Sequence, residues 1–320
     1  MPAPRRLNIL CHVHLYPPDH CAGAEMMLHE IVLGLKARRH NIQVVCDKSS
    51  TDEFEGIPIA TNVRSHLAGA DLVITHLDRT DDAIRITNRK KPLVHLVHND
   101  LQLSYRKVKP ANAQLVVFNS RWLEEKVAWT GNQMVLPPPV DPRRYRTTPG
   151  GVRAATLVNL IRDKGADQFY ALAKAMPGKM FMGVVGGYGQ QIIPKVLPRN
   201  VILMPHITDM RVVYQQTHVL LMPSIYESWG RVGIEAAASG IPTIAHPTPG
   251  LKESLGASGT FADRDNLDAW KQAITRMDDP VRYKVKSQQA LHRSTALKPD
   301  VGIDALEKRL LAVVNEWESK

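Results

Sequence analysis

The stretch Pro223-Ser-Ile-Tyr-Glu227-Ser-Trp229-Gly230-Arg231-Val-Gly-Ile-Glu235-Ala-Ala-Ala-Ser-Gly-Ile-Pro242 decides how the chain is read. The apolar run 219–222 before it is short enough for a buried strand, and 241–245 after it reads as the next strand. Between them fit a loop and a short helix that begins near Gly230 and stops at Ser239-Gly240, with Pro242 just beyond. Glu235 is the lone carboxylate in the almost wholly apolar helical segment 232–238, which implies burial, and a buried carboxylate needs donors. Two explanations fit. Arg231, one turn earlier on the same face, pairs with it, or the hydroxyls of a ligand complete it. Glu227 lies in the loop feeding the helix start, where backbone N–H groups favour anionic or hydroxyl-rich ligands. Together these features describe a polyol or phosphate cradle.

Working outward, strands are expected at 7–13, 42–46, 72–75, 93–98 and 115–118. A helix follows the first strand, with Ala24, Leu28, Ile31, Val32 and Leu35 on one face, and further helices are expected at 81–88 and 121–129. A second alternating series starts at 154–160 and includes strands at 180–185 and 201–203, then helices at 209–217 and 267–277. Strands alternating with helices predict α/β architecture with parallel, doubly wound sheets, whose ligands meet the carboxyl ends of the strands. His98 falls at one such end, and His95 reads as a core position. The prolines of Val135-Leu-Pro-Pro-Pro-Val-Asp-Pro142 can continue neither helix nor central strand and read as a stiff connector. The expected domains are 1–138 and 139–302, with a last helix, 303–320, crossing back to the first.

The Glu227-to-Glu235 unit resembles the Glu-x7-Glu signature of retaining GT-B glycosyltransferases, glycosyltransferase family 4 in particular. The resemblance extends in order to Ala22-Gly23-Ala24-Glu25, His98, the proline connector and Lys164-Gly165. It implies two Rossmann-like domains facing a cleft and a metal-independent retaining transfer from a nucleotide diphosphate sugar, a UDP-sugar first, with no cofactor or metal. Glu235 then binds the ribose hydroxyls. Glu227 lies by the donor sugar, with Trp229, Gly230 and Arg231 shaping that pocket. Gly23 brings backbone amides to the donor phosphate, and the loop at Ile207 covers the base through backbone contacts. Lys164 neutralises the diphosphate. Asn159 occupies the position where the family carries an arginine, and Arg162 reaches in to replace it. His98 assists at the sugar and organises the acceptor hydroxyl.

Composition sets the outer bounds. With 320 residues, 44% hydrophobic and 22% charged, the chain suits two globular domains rather than disorder. No run reaches the roughly 18 apolar residues of a membrane span, so the expected location is the cytoplasm, with peripheral contact at the inner face of a membrane as a further expectation. Three cysteines without C-x-x-C spacing fit reduced thiols better than a disulfide framework. Neither a nicotinamide fingerprint nor a phosphate-loop lysine motif occurs. Asp263-Arg-Asp265 is formally a D-x-D metal signature but sits in a turn where Asp265 reads as a helix N-cap. The net charge of +10 and the cations of loop 101–110 (Arg106, Lys107, Lys109) point to an anionic acceptor, whether lipid, glycan or nucleic acid such as modified DNA. The rival readings are a non-catalytic GT-B scaffold that binds nucleotide or nucleic acid, fed by Ala22 and Asn159, and a GT-B sugar-nucleotide epimerase.

Overall fold

The computed structural model describes residues 5–320, and the chain divides into two compact units, 1–139 with 298–320 and 140–297.

In unit 1 the order is β1 (Asn8–His12), α1 (Gly23–Ala37), β2 (Asn41–Val45), β3 (Glu53–Phe54), β4 (Ile57–Ala60), α2 (Arg64–Leu67), β5 (Leu72–His76), α3 (Thr80–Thr87), β6 (Leu93–Val97), β7 (Leu115–Phe118), α4 (Arg121–Val127) and β8 (Gln133–Val135). The sheet runs β3-β4-β2-β1-β5-β6-β7-β8 and is parallel except for the β3–β4 hairpin. Its central strands β5 and β6 are buried on both faces, as parallel strands covered by helices on both sides are. The C-terminal helix (Pro299–Glu318) returns to this unit, where Ile303, Leu306, Leu310 and Val313 pack in the core with Leu28, Ile31, Val32 and Leu35 of α1. Gly34 permits the approach, since a Cβ there would lie 3.0 Å from Ile303 Cγ2. Arg38 reinforces the contact through an ion pair with Asp304, and His40 Nε2 hydrogen-bonds Glu307 Oε1 at 2.9 Å.

Unit 2 continues with α5 (Pro142–Tyr145), β9 (Ala154–Val158), α6 (Ala166–Ala175), β10 (Phe181–Val184), β11 (Val201–Met204), α7 (Met210–Gln216), β12 (Thr217–Met222), α8 (Arg231–Ala237), β13 (Thr243–Ala245), α9 (Pro249–Leu255), β14 (Thr260–Phe261), α10 (Leu267–Arg276) and α11 (Pro280–Ala296). The C-terminal helix is therefore α12. The unit 2 sheet runs β11-β10-β9-β12-β13-β14, all parallel. Successive strands step outward from β9 in one direction and then, from β12, in the other. The reversal opens a crevice beyond the carboxyl ends of β9 and β12, and in unit 1 the same reversal falls between β1 and β5. The N-cap of α10 is Asn266, which accepts from Ala269 N, and not the expected Asp265.

Candidate functional site

At the switch point of unit 2 the loop after β9 meets the loop after β12. Ile225 N donates to Asp163 O at 2.8 Å, and Gly165, in the left-handed region at φ +94°, lies against Pro223. A side chain at Gly165 would collide with the Pro223 ring and come within 2.9 Å of its carbonyl oxygen, so glycine is required twice over, by conformation and by space.

This contact sets Lys164 beside Glu227. Lys164 Nζ donates to Glu227 Oε1 at 2.5 Å, and Ser224 Oγ donates to the same oxygen at 2.9 Å. Burial works against the ammonium charge. The attraction of Glu227, with a smaller contribution from Tyr188, outweighs it and holds the Lys164 pKa above the ordinary lysine value. An ammonium has three donors, so this pairing leaves capacity for a second anion.

One turn into α8 lies a second, more deeply buried pair, Arg231 Nε to Glu235 Oε1 at 2.6 Å. Tyr214 OH donates to the other oxygen of Glu235 at 2.8 Å. Burial first, and then the neighbouring Glu235 carboxylate, raises the Tyr214 phenol well above its ordinary pKa, so it remains a donor. The Arg231 guanidinium lies 5.6 Å from the Tyr145 ring centroid and also bonds to the Tyr145 hydroxyl. Of the two explanations for Glu235, the arginine pair is thus realised, with Tyr214 as a second donor. Gly230 starts α8 at φ +81°, where a side chain would strike Leu251.

The other residues expected at the site take the following places. Trp229 is 2% exposed and belongs to the apolar core with Ile234, Leu251 and Met222. The Arg162 side chain is largely exposed and pairs with Asp167 at 3.3 Å. Ile207 packs its side chain on the same core, in the loop between β11 and α7. Asn159, at φ +69° just after β9, accepts from Gln191 Nε2 at 2.8 Å, while its own buried Nδ2 has no partner. Gln191 Oε1 in turn accepts from Leu160 N and Gly186 N, each at 3.0 Å, and so ties the glycine turn 186–189 to the end of β9.

A cation that sequence reasoning passed over is Arg264. Its guanidinium donates to Pro223 O and, at 3.0 Å, to Arg162 O, so it clasps the two loops that carry Glu227 and Lys164. Burial depresses its pKa, but the group stays a cation. The signal lay in the Asp263-Arg-Asp265 turn, where the carboxylates drew the reading and the arginine between them did not. Asp263 instead accepts from Asp265 N, and among the described residues no three His, Cys, Asp or Glu side chains are grouped to hold a metal ion.

In unit 1, His98 is buried just past β6, and its Nε2 lies 2.9 Å from Nδ1 of His76, the last residue of β5. Burial, and then His95, push His98 down to about 3, and burial, then His98, pushes His76 well below its ordinary value, so both are neutral. His95 is fully buried, as expected of a core position. Gly23 opens α1 with nothing within 4 Å of the place a Cβ would take. Lys107, one of the loop cations, pairs with Asp81 at 2.5 Å.

Residues 161–279, most of unit 2, match the family of glycosyl transferases group 1. An 84-residue stretch is 34% identical to D-inositol 3-phosphate glycosyltransferase of Corynebacterium urealyticum and covers 25% of this chain and 20% of that protein. A 92-residue stretch is 32% identical to the enzyme of that name from Corynebacterium glutamicum, over 28% of this chain and 22% of that protein. The chain thus matches about a fifth of the length of these curated relatives. Among solved structures it is similar to sucrose-phosphate synthase from Thermosynechococcus elongatus, at a TM-score of 0.77 and 16% identity over 95% of this chain and 99% of that one. It is also similar to Anabaena HepE in complex with UDP-glucose, at a TM-score of 0.76 and 18% identity over 96% and 100%. The fold is that of GT-B glycosyltransferases, with two Rossmann-like domains.

Proposed function

We propose that the chain is a retaining glycosyltransferase that uses a nucleotide diphosphate sugar, UDP-linked in the first instance, without a metal ion. The observation that carries this reading is the Lys164–Glu227 pair beside the buried Arg231–Glu235–Tyr214 cluster, both at the switch point of unit 2. The match of residues 161–279 and the HepE structure with UDP-glucose support the donor class.

In the proposed reaction the acceptor hydroxyl oxygen bonds to the anomeric carbon on the face the diphosphate leaves. The bond to the diphosphate breaks with both electrons on its oxygen, which takes up the hydroxyl proton. Charge then grows on the diphosphate, and the Lys164 ammonium stabilises it while remaining bonded to Glu227. Asn159 Nδ2 offers a neutral donor where the family carries a cation. Glu235 meets the ribose with the oxygen capacity that Arg231 and Tyr214 leave. In unit 1, with Nε2 turned to His76, His98 keeps Nδ1 for a ligand hydroxyl.

The test is calorimetry of UDP, GDP, ADP and their sugars, with and without EDTA, on the wild type and Lys164→Ala. One nucleotide should bind, EDTA should change nothing, and Lys164→Ala should weaken binding about 10-fold or more, or ~1.4 kcal/mol. Binding of none, or binding indifferent to Lys164, overturns the reading and favours a scaffold. Interconversion of a free sugar nucleotide would indicate an epimerase.

A further inference from the structure

Unit 2 carries most of the positive charge: residues 140–297 hold 20 lysines and arginines against 12 aspartates and glutamates, +8 of the net +10. No carboxylate side chain occurs between Asp167 and Asp209, nor from 280 to 299. The parallel sheet brings cations of these segments together with others at the amino ends of its strands, opposite the crevice. Arg199, Lys179 and Arg153 each stand two residues before Val201, Phe181 and Ala155, which pair across β11, β10 and β9, so they form a row with steps of about 5 Å. Lys174, in the last turn of α6, adjoins this row, because Asn200 Nδ2 donates to Ala173 O and Lys179 O, each at 2.9 Å. Arg276 ends α10, where Met277 O accepts from His218 Nε2 at 3.0 Å beside the start of β12, and Arg282 follows in the first turn of α11. The adjoining carboxylates are already engaged: Asp278 pairs with Lys179, and Asp279 caps α11 by accepting from Val281 N at 2.9 Å. Three apolar side chains are exposed around these cations, Val152 at 43%, Val281 at 72% and Val196 at 84%.

We propose that this end of unit 2 docks on a membrane surface rich in anionic lipid, its cations meeting the headgroup phosphates and its valines entering the interface. A lone exposed valine is ordinary. Set together on a basic face, the three suit a bilayer, which takes up charge and apolar tips at once. A nucleic acid fits less well, because bases stack on exposed rings, and the rings here, His218 and Tyr283, stack on each other with centroids 4.4 Å apart. The crevice at the carboxyl ends of the strands then opens away from the bilayer. The docking face lies apart from Lys164 and Glu227 and does not depend on the glycosyltransferase reading.

The test is flotation of the full chain with vesicles of phosphatidylcholine alone and of phosphatidylcholine with about 30% phosphatidylglycerol, across a salt series. The anionic vesicles should carry the chain, the neutral ones should not, and binding should weaken as salt rises. Arg199→Glu combined with Arg282→Glu should lower the partition about 30-fold or more, since each cation near such a surface is worth roughly fivefold. Val281→Ser should lower it by about two- to fivefold. The same charge reversal at Arg106 and Lys109 of unit 1 should change it less than about twofold. All five side chains are exposed, and the melting temperature of each variant reports that the fold is kept. Failure to float with anionic vesicles, equal binding to neutral ones, or a loss confined to the Arg106 and Lys109 variant overturns the proposal. Tighter binding to duplex DNA than to the vesicles, lost on reversal of Arg199 and Arg282, would assign the face to nucleic acid and overturn it as well.

Discussion

Removing the Glu235 side chain would strand the Arg231 guanidinium, 6% exposed, without its carboxylate. Breaking a buried pair on one side costs about 3–5 kcal/mol, a large share of an ordinary stability margin. Glu235→Ala should therefore lower the denaturation midpoint sharply, whereas Lys164→Ala, at a partly exposed pair, should cost much less. Urea titration of both distinguishes them, and equal losses would contradict the burial argument. Acid provides a second test. An unfolded histidine binds a proton near pH 6.5, while burial holds His95 and His98 at about 3 and His76 well below its ordinary value. Between pH 6.5 and about 3 the unfolded chain holds more protons, so stability falls as pH falls, by at most about 1.4 kcal/mol per pH unit for each histidine. Glu25 opposes this between about 7 and its ordinary 4.5, but one carboxyl does not offset three imidazoles. His95→Leu, which also removes the unpartnered Nε2, should flatten the fall in midpoint between pH 6 and 5 by one proton's worth; an unchanged slope would show that His95 is not the source. Most of these residue-scale roles were out of reach of the sequence. Glu235 stood out as the lone carboxylate of an apolar helix, and Glu227 and Lys164 through the motif resemblance, but Tyr214 lies 21 positions from Glu235 and reaches it only through the fold.

Gly165→Ala belongs to the scale of elements, because its damage passes through the contact of two loops. The left-handed backbone alone costs an alanine about 1–2 kcal/mol, and the collision with Pro223 adds to it. A melting temperature several degrees lower, together with loss of nucleotide affinity, is expected; loss of stability with intact affinity would uncouple Gly165 from the placement of Lys164. Elements with strong patterns were legible in the sequence. The strand at Leu115–Phe118 falls where its apolar run put it, and most other bounds shift by one or two residues at the ends. The pieces that escaped had no pattern to show. Strand β3 has two residues and β8 three, none of them buried, and in the 17 residues of α11 only Ala290 and Ser294 are buried.

For the molecule as a whole, α12 brings a large apolar contribution to unit 1 from a segment remote in sequence. Ile303, Leu306, Leu310, Val313 and Val314 are each 3% exposed or less. At about 1.5–3 kcal/mol per buried aliphatic side chain they contribute on the order of 10 kcal/mol, an upper estimate that rivals the whole margin of a domain. A chain ending at Leu297 should leave unit 1 open to protease while a fragment near 140–297 survives; a resistant unit 1 would show that α12 is dispensable. The same arrangement orders events during synthesis. Unit 1 consists of two stretches of chain separated by all of unit 2, so its core lacks one wall until the ribosome has passed Val314. Unit 2, continuous in sequence, can complete itself first, while the earlier-made half waits with the apolar face of α1 uncovered. During that interval the nascent protein depends on whatever shields the face of Leu28, Ile31 and Leu35, and chaperone demand should rise with any pause in translation between 140 and 297.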